Sequence, residues 1–309
     1  MRRLGHTDSP IGSIRGVESL ISTFSIVGYD PEEPAWGIAI ASRFLAVGAQ
    51  TCWGDSDAGV VVLQAYLNAR NGPEGLRLLR RGLPAEEVIE RLMDKDPRRH
   101  LRQMAVIDLL GRVAAYTGDG CQEWAGHVVG SHCAAQGNML VGKEGCAAMV
   151  SYFESNKGTV ARRLVNALAV GDKVAGDVRG RQASALFVVR PRTAEPVDVF
   201  TEPIIDLRVD DHDEPFKELE RLLDLYELIY LPTAPEERLP QSPTNVRRLQ
   251  RVLAHAGYYD GEISGVLDER TRTAMARLGR AENFHRRLSA DQFLDGRLLQ
   301  YLEARAPMA

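Results

Sequence analysis

A threonine at the head of a strand is inert until its amide nitrogen is freed; a free α-amine, titrating near pKa ~8, can take the proton of its own hydroxyl. Thr23 stands in such a place. The stretch from Thr23 to Gly48 reads as two strands of β-branched and small residues, joined by a turn carrying Asp30, Pro31, Pro34 and Gly37. With residue 22 attached, the same threonine has an acylated nitrogen and no internal base. Side-chain amides offer a second chemistry: Asn68 and Asn138, with glycines nearby, could donate to a carbonyl or an oxyanion, or could simply form turns. Arg179 and Arg181 flank Gly180 and could fork onto a substrate carboxylate, or lie solvated on a loop. Gln64 and Gln182, next to strand residues, suit a backbone partner as well as a ligand.

Cys121, His127, His132 and Cys133 fall within thirteen residues, and zinc takes three or four N or S ligands. Their spacing fits no usual zinc pattern, and His132 and Cys133 as strand neighbours point to opposite faces. No metal and no cofactor is expected. Asp206, Asp210, Asp211 and His212 read as strand-end and helix-cap chemistry ahead of a helix rather than as a catalytic pair.

The elements that must position these residues follow from the whole chain. Its 309 residues, 44% of them hydrophobic, suffice for about two packed domains. A net charge of −4 with both signs interspersed argues against a dedicated nucleic-acid or anionic-membrane binder. No apolar run approaches the ~18 residues of a membrane span, and the basic N-terminus lacks the apolar segment of a signal peptide, so a cytoplasmic protein is expected. Four cysteines without a C-x-x-C pair make no disulfide framework.

Residues 1–22 read as an arm or removable leader. The spacing then predicts a strand from Gly59 to Tyr66, helices after Asn71 and from Pro84 to Met93, and a hairpin over 103–117. A glycine-rich loop from Gly118 to His127, a strand from Cys133 and helices over 143–155 and 158–171 come next. Strands follow from Ala183, near Val197 to Phe200 and from Ile205 to Val209, then an amphipathic helix from Pro215 to Tyr230. Four prolines in residues 231–243 suggest a semi-rigid linker. Residues 244–309 read as a small all-α domain with helices from Asn245, Asp268 and Asp291, the aspartates as N-caps.

From Thr23 to about Tyr226 the chain resembles the DUF1028 family, grouped with the N-terminal-nucleophile (Ntn) hydrolases. The resemblance rests on Thr23-Phe-Ser-Ile-Val, Ala41-Ser-Arg-Phe-Leu-Ala-Val-Gly48, Gln64-Ala with Asn68, Gly72-Pro-Glu-Gly-Leu, and Ala115-Tyr-Thr-Gly. It continues through Cys121, Trp124-Ala-Gly-His127, Gln136-Gly-Asn-Met-Leu140, Arg179-Gly-Arg-Gln182 and Asp206-Leu-Arg-Val-Asp-Asp-His212. It implies an α+β fold, a four-layer αββα sandwich, with Thr23 as catalytic nucleophile and base together. It also brings in Ser42 and Arg43 at the end of the second strand, where related enzymes carry a short Asp-Ser-Arg style sequence, either lining a pocket or, for Arg43, reaching solvent.

Two departures from the family pattern shape the expected activity. Members commonly place the threonine directly after the initiator methionine, and here 22 residues precede it. Proteasome-like relatives place a lysine near it, and none lies between Arg43 and Gly72. A small amide or related C–N bond is therefore a better substrate class than a protein, with Ser42, Arg43, Gln64, Asn68, Asn138, Arg179 and Arg181 as candidate substrate-binding residues. The alternative is a non-catalytic ligand-binding protein on the same fold. The tail resembles a peptidoglycan-binding-like domain through Val246-Arg-Arg-Leu-Gln, Gly257-Tyr-Tyr-Asp-Gly-Glu-Ile-Ser-Gly265 and Thr271-Arg-Thr-Ala274. Tyr258 and Tyr259 could stack on a sugar or peptide, or could fill a small core. Expected partners are a small-molecule substrate, a peptidoglycan fragment or docking partner for the tail, and a second copy in a homodimer, with no nucleic acid and no membrane.

Overall fold

The computed structural model describes residues 20–21, 23–191, 204–288 and 292–305. The expected leader (apart from 20–21), the strand near Val197 to Phe200 and the Asp291 cap lie outside them. The chain divides into two units, Met1–Arg192 with Pro203–Phe216, and Thr193–Glu202 with Lys217–Ala309.

The first unit runs β1 (Leu20–Ile21), β2 (Thr23–Asp30), β3 (Ala35–Ser42), α1 (Val47–Thr51), β4 (Cys52–Asp55) and β5 (Gly59–Tyr66). It continues with α2 (Asn71–Arg80), α3 (Ala85–Asp94), β6 (Arg102–Asp108), β7 (Val113–Thr117), β8 (Gly126–Val129) and β9 (Cys133–Asn138). Then come α4 (Glu144–Ser155), α5 (Val160–Ala175), β10 (Ala183–Val189), β11 (Ile204–Val209) and α6 (Pro215–Tyr230), in which the division between units falls. One antiparallel sheet has the order β1-β5-β6-β7 with β4 also on β5; the other has the order β11-β10-β3-β2-β9-β8.

Alternation along each strand sends alternate residues to opposite faces. Val27, Ile38, Ile40, Ala134 and Ala185 of one sheet share a core with Val60, Val62, Ala105 and Ile107 of the other. On its far face the β5-β6 sheet packs Val61, Leu63, Met104 and Val106 against Leu76, Leu79, Val88, Ile89 and Leu92 of α2 and α3. α4 and α5 cover the far face of the β2-β3 sheet so closely that a Cβ on Gly28 would collide with Phe153, and one on Gly37 with Leu164.

The strand over 59–66 and helix 215–230 are present with those bounds, and the hairpin expected over 103–117 begins one residue earlier, at Arg102. Other elements differ. The loop expected over 118–127 ends early, because Gly126 to Val129 pairs with β9 as an edge strand. The second of the two strands read over Thr23 to Gly48 ends at Ser42 and contains Gly37, expected in the turn; Val47–Thr51 forms α1 and Cys52–Asp55 forms β4. The proline-rich segment expected as a linker is folded into the second unit: Thr233 is buried and donates to Asp295 Oδ2 at 2.6 Å, and β12 (Arg238–Leu239) pairs with β13 (Leu294–Asp295). Prolines there stiffen a packed segment rather than space two domains.

The second unit adds α7 (Pro243–His255), α8 (Glu269–Ala281), the one-turn α9 (His285–Leu288) and α10 (Gly296–Arg305). Ser242 and Asp268 cap α7 and α8 through their side chains. The last helix starts at Gly296, five residues later than expected, with Asp295 Oδ1 accepting from Leu298 N at 2.7 Å. Tyr259 is buried with Leu249, Leu253 and Leu278, and Tyr258 packs on the same cluster, so Tyr259 serves as core. Among the described residues no helix is long and apolar enough to cross a membrane.

Candidate functional site

At one end of the space between the two sheets, apolar side chains give way to polar ones. The strand registers align Thr23 with Ser42 in β3 and with Asn138 in β9, and Ser25 with Gln136 in β9. His127 in β8 stands beside Gln136. In the other sheet Gln64 in β5 is opposite Gln103 in β6, which is opposite Thr117 in β7. Thr23, Ser25, Gln64, Gln103, Gln136 and Asn138 are each at most 1% exposed. Buried polar groups in water-free surroundings must find partners, and these find one another.

Thr23 Oγ1 donates to Ser42 Oγ at 3.3 Å. Gln64 Nε2 donates to the Thr23 carbonyl at 3.2 Å, with Asn138 Nδ2 at 3.5 Å from the same oxygen. Both amides also donate to Gln103 Oε1, at 2.7 and 2.9 Å. Gln103 Nε2 in turn serves Thr117 Oγ1 at 2.9 Å and the carbonyls of Gly126 and Gly137. Thr117 Oγ1 accepts from Gln103 and is hydrogen-bonded to His127 Nδ1, 2.9 Å away. His127 reaches solvent, but the inward part of its ring is stripped of water, and that lowers its pKa below the ordinary value. Ala65 and Met139, directly after Gln64 and Asn138, have φ of 60° and 54°, a left-handed backbone that L-residues adopt at a cost of about 1–2 kcal/mol.

Gln136 is the exception. Among the described residues neither its Oε1 nor its Nε2 has a hydrogen-bond partner, although both are buried. Leaving such groups unpaired costs about 1–3 kcal/mol each.

Of the residues singled out in the sequence, the structure brings together Thr23, Ser42, Gln64 and Asn138, and it groups Arg43, Arg179 and Arg181 through Asp177 and the Arg181 carbonyl. Asn68 donates to Asp96 Oδ2 at 3.0 Å, in a buried network with Arg102 Nε at 2.8 Å from the same oxygen. Burial opposes the charge on Asp96, but bonds from Arg102, Asn68 and the Arg98 amide outweigh it and hold its pKa down to about 2. Asn68 is thus committed to a structural ion pair. Arg43 is exposed, its Nη1 donating to the Arg181 carbonyl at 3.2 Å. Arg179 is paired with Asp177 at 3.0 Å and Arg181 with Asp172 at 2.6 Å, so both guanidinium groups already hold a carboxylate. Gln182 donates to Asp211.

Ser25, Gln103, Thr117 and Gln136 were missed as site residues, and His127 was weighed solely as a metal ligand. The available signal was a glutamine interrupting an apolar strand at both 103 and 136. Among the described residues no group of three His, Cys, Asp or Glu side chains is placed to hold a metal ion. Burial pushes the thiols of Cys52, Cys133 and Cys146 up to about 12, far from nucleophilic use. A separate cleft of about 530 Å³ opens beside Tyr29, Asp30, His132 and Arg163, at the other end of β2. Its Arg163 is committed to Asp30 Oδ2 and the Phe153 carbonyl.

Comparison with known proteins agrees with this division. A family described as "Family of unknown function (DUF1028)" matches residues 23–219, and one described as "Putative peptidoglycan binding domain" matches residues 230–302. The crystal structure of protein SPO2555 from Silicibacter pomeroyi, also assigned to DUF1028, is similar at 34% identity and a TM-score of 0.60. The match covers 67% of this chain and 89% of that one. No curated protein matches the chain.

Proposed function

The chain belongs to the DUF1028 family, and from that premise we propose that it is an Ntn-type amidohydrolase on a four-layer αββα sandwich, acting on a small amide or related C–N bond. Thr23 is the nucleophile once the bond between residues 22 and 23 is opened. The freed α-amine takes the proton from Oγ1, and Oγ1 attacks the amide carbon. The tetrahedral oxyanion is held by side-chain amides, for which Asn138, aligned with Thr23 across β2 and β9, is suited. Collapse breaks the C–N bond, the α-ammonium returns the proton to the leaving nitrogen, and water then repeats the sequence on the ester.

The observation that carries this reading is that β1 and β2 belong to different sheets. Leu20 and Ile21 pair with Tyr66 and Ala65 in one sheet, whereas Thr23 opens the other sheet beside an uncharged polar cluster. Intact-mass measurement of the purified protein with turnover of a panel of small amides tests it. A species beginning at Thr23, active as wild type and inactive as Thr23→Ala, is expected. A full-length species that still hydrolyses an amide after Thr23→Ala overturns the assignment.

Thr23 is wholly buried with β1 paired ahead of it, which favours a second reading, a non-catalytic binding protein. That reading predicts an uncleaved chain and no turnover in the same measurement. For the second unit, the family matched at 230–302 supports a peptidoglycan fragment as ligand. Retention of the full chain on purified sacculi is expected, and free passage refutes it.

A further inference from the structure

Two residues inward from the Thr23–Asn138 pair, on the same face, two rows of side chains face each other. Ser25, Gln136 and His127 form one row across β2, β9 and β8; Gln64, Gln103 and Thr117 form the other across β5, β6 and β7. The rows are bonded at both ends. Ser25 Oγ donates to Gln64 Oε1 at 2.7 Å, and Thr117 Oγ1 meets His127 Nδ1 at 2.9 Å. These end bonds set Gln103 against Gln136 in the middle. Gln103 is already engaged by Gln64, Asn138 and Thr117 and by the carbonyls of Gly126 and Gly137. Gln136, with no exposed surface, keeps an acceptor and donors side by side with no protein group to meet them among the described residues.

A primary amide in that condition matches another amide edge to edge: the incoming N–H meets Oε1 while the incoming C=O meets Nε2. A carboxylate brings two acceptors and a charge, and the facing rows hold no cation to receive it. An alkylammonium brings donors and a charge, and they hold no carboxylate. Arg179 and Arg181, the possible carboxylate fork of the sequence, are paired with Asp177 and Asp172. We propose that Gln136 is the specificity-determining residue of this site and that it pairs with the N–H/C=O edge of a neutral carboxamide, ureide or lactam. The proposal deepens the amidohydrolase reading by naming its substrate class, but the binding it describes does not need the freed amine of Thr23.

The test is equilibrium binding of acetamide, urea and 2-pyrrolidinone to the purified protein by calorimetry or saturation-transfer NMR, with acetate and methylammonium as charged controls. Wild type and Gln136→Leu are compared. A neutral probe is expected to bind wild type and to bind Gln136→Leu about tenfold or more weakly, with neither charged control bound. Because leucine removes an unpaired buried amide at similar volume, the thermal midpoint of Gln136→Leu is expected to equal or exceed that of wild type. Equal binding by Gln136→Leu, no neutral probe bound by wild type, or a lowered midpoint, which marks a purely structural amide, each overturn the proposal. Gln136-dependent binding with no turnover by any form leaves the proposal standing and refutes the hydrolase reading instead.

Discussion

Gln250 in the second unit and Gln136 in the first are both 0% exposed. Gln250 Oε1 accepts from the Gly265 amide at 2.9 Å, and its Nε2 donates to the Val266 carbonyl and to Thr271 Oγ1, both at 3.0 Å. The loop from Gly257 to Gly265 is wound onto that one side chain, with Tyr259 Oη fixed to the Glu262 carbonyl. Arg287 in the same unit is equally saturated, reaching Asp295, Glu237 and the carbonyls of Glu227 and Leu228. Gln136 has none of this. A buried amide whose partners are all protein specifies a fold, whereas one with no protein partner carries a stability penalty that folding does not repay. The first kind marks architecture and the second marks a place for something else.

The comparison breaks most visibly at Gln250. Gln250→Leu strands the buried Gly265 amide, at about 1–3 kcal/mol, while Thr271 Oγ1 keeps its bond to Asp268 Oδ1. Trp36, Trp53 and Trp124 all lie in the first unit, so their fluorescence reports that unit while far-ultraviolet dichroism reports both. The dichroism transition is expected to lose stability while the tryptophan transition stays in place. An unchanged dichroism transition shows that saturation at Gln250 is ornamental and removes the contrast with Gln136.

The same contrast explains what could be read from the sequence. Strands β2, β3 and β5 were legible because β-branched runs bounded by turn residues need no tertiary information. Thr23 was legible as the head of its strand, Asn138 and Gln64 as side-chain amides beside glycine or strand residues, and Ser42 through family resemblance. Gln103 and Gln136 were not, because a polar residue in a strand ordinarily marks a solvent face. Both faces of β9 are buried, and that follows from sheet stacking between segments more than a hundred residues apart, as in the Thr23–Asn138 pairing. Asn68 and Arg181 have carboxylate partners, Asp96 and Asp172, that local patterns do not place beside them, whereas the partner of Arg179, Asp177, is two residues away in the same loop. The proline-rich segment misled because composition reports stiffness, whereas burial of Thr233 reports packing.

The smallest effect lies at the outer end of the polar cluster. His127 is hydrogen-bonded to Thr117 and partly stripped of water, and that loss of water holds its folded pKa below the ordinary 6.5. Between that lowered value and 6.5 the unfolded chain binds more protons than the folded one, so stability falls as pH drops below 6.5 and is insensitive to this group above it. His127→Gln is expected to flatten this part of the dependence of the thermal midpoint from about pH 7 to about pH 5. In wild type, ring NMR signals of His127 should titrate below 6.5. A His127 that titrates above 6.5 has gained an anionic partner, and a charge would then sit against rows read here as neutral. That single measurement bears directly on the substrate class, since a site that tolerates an imidazolium at its rim can receive a carboxylate after all.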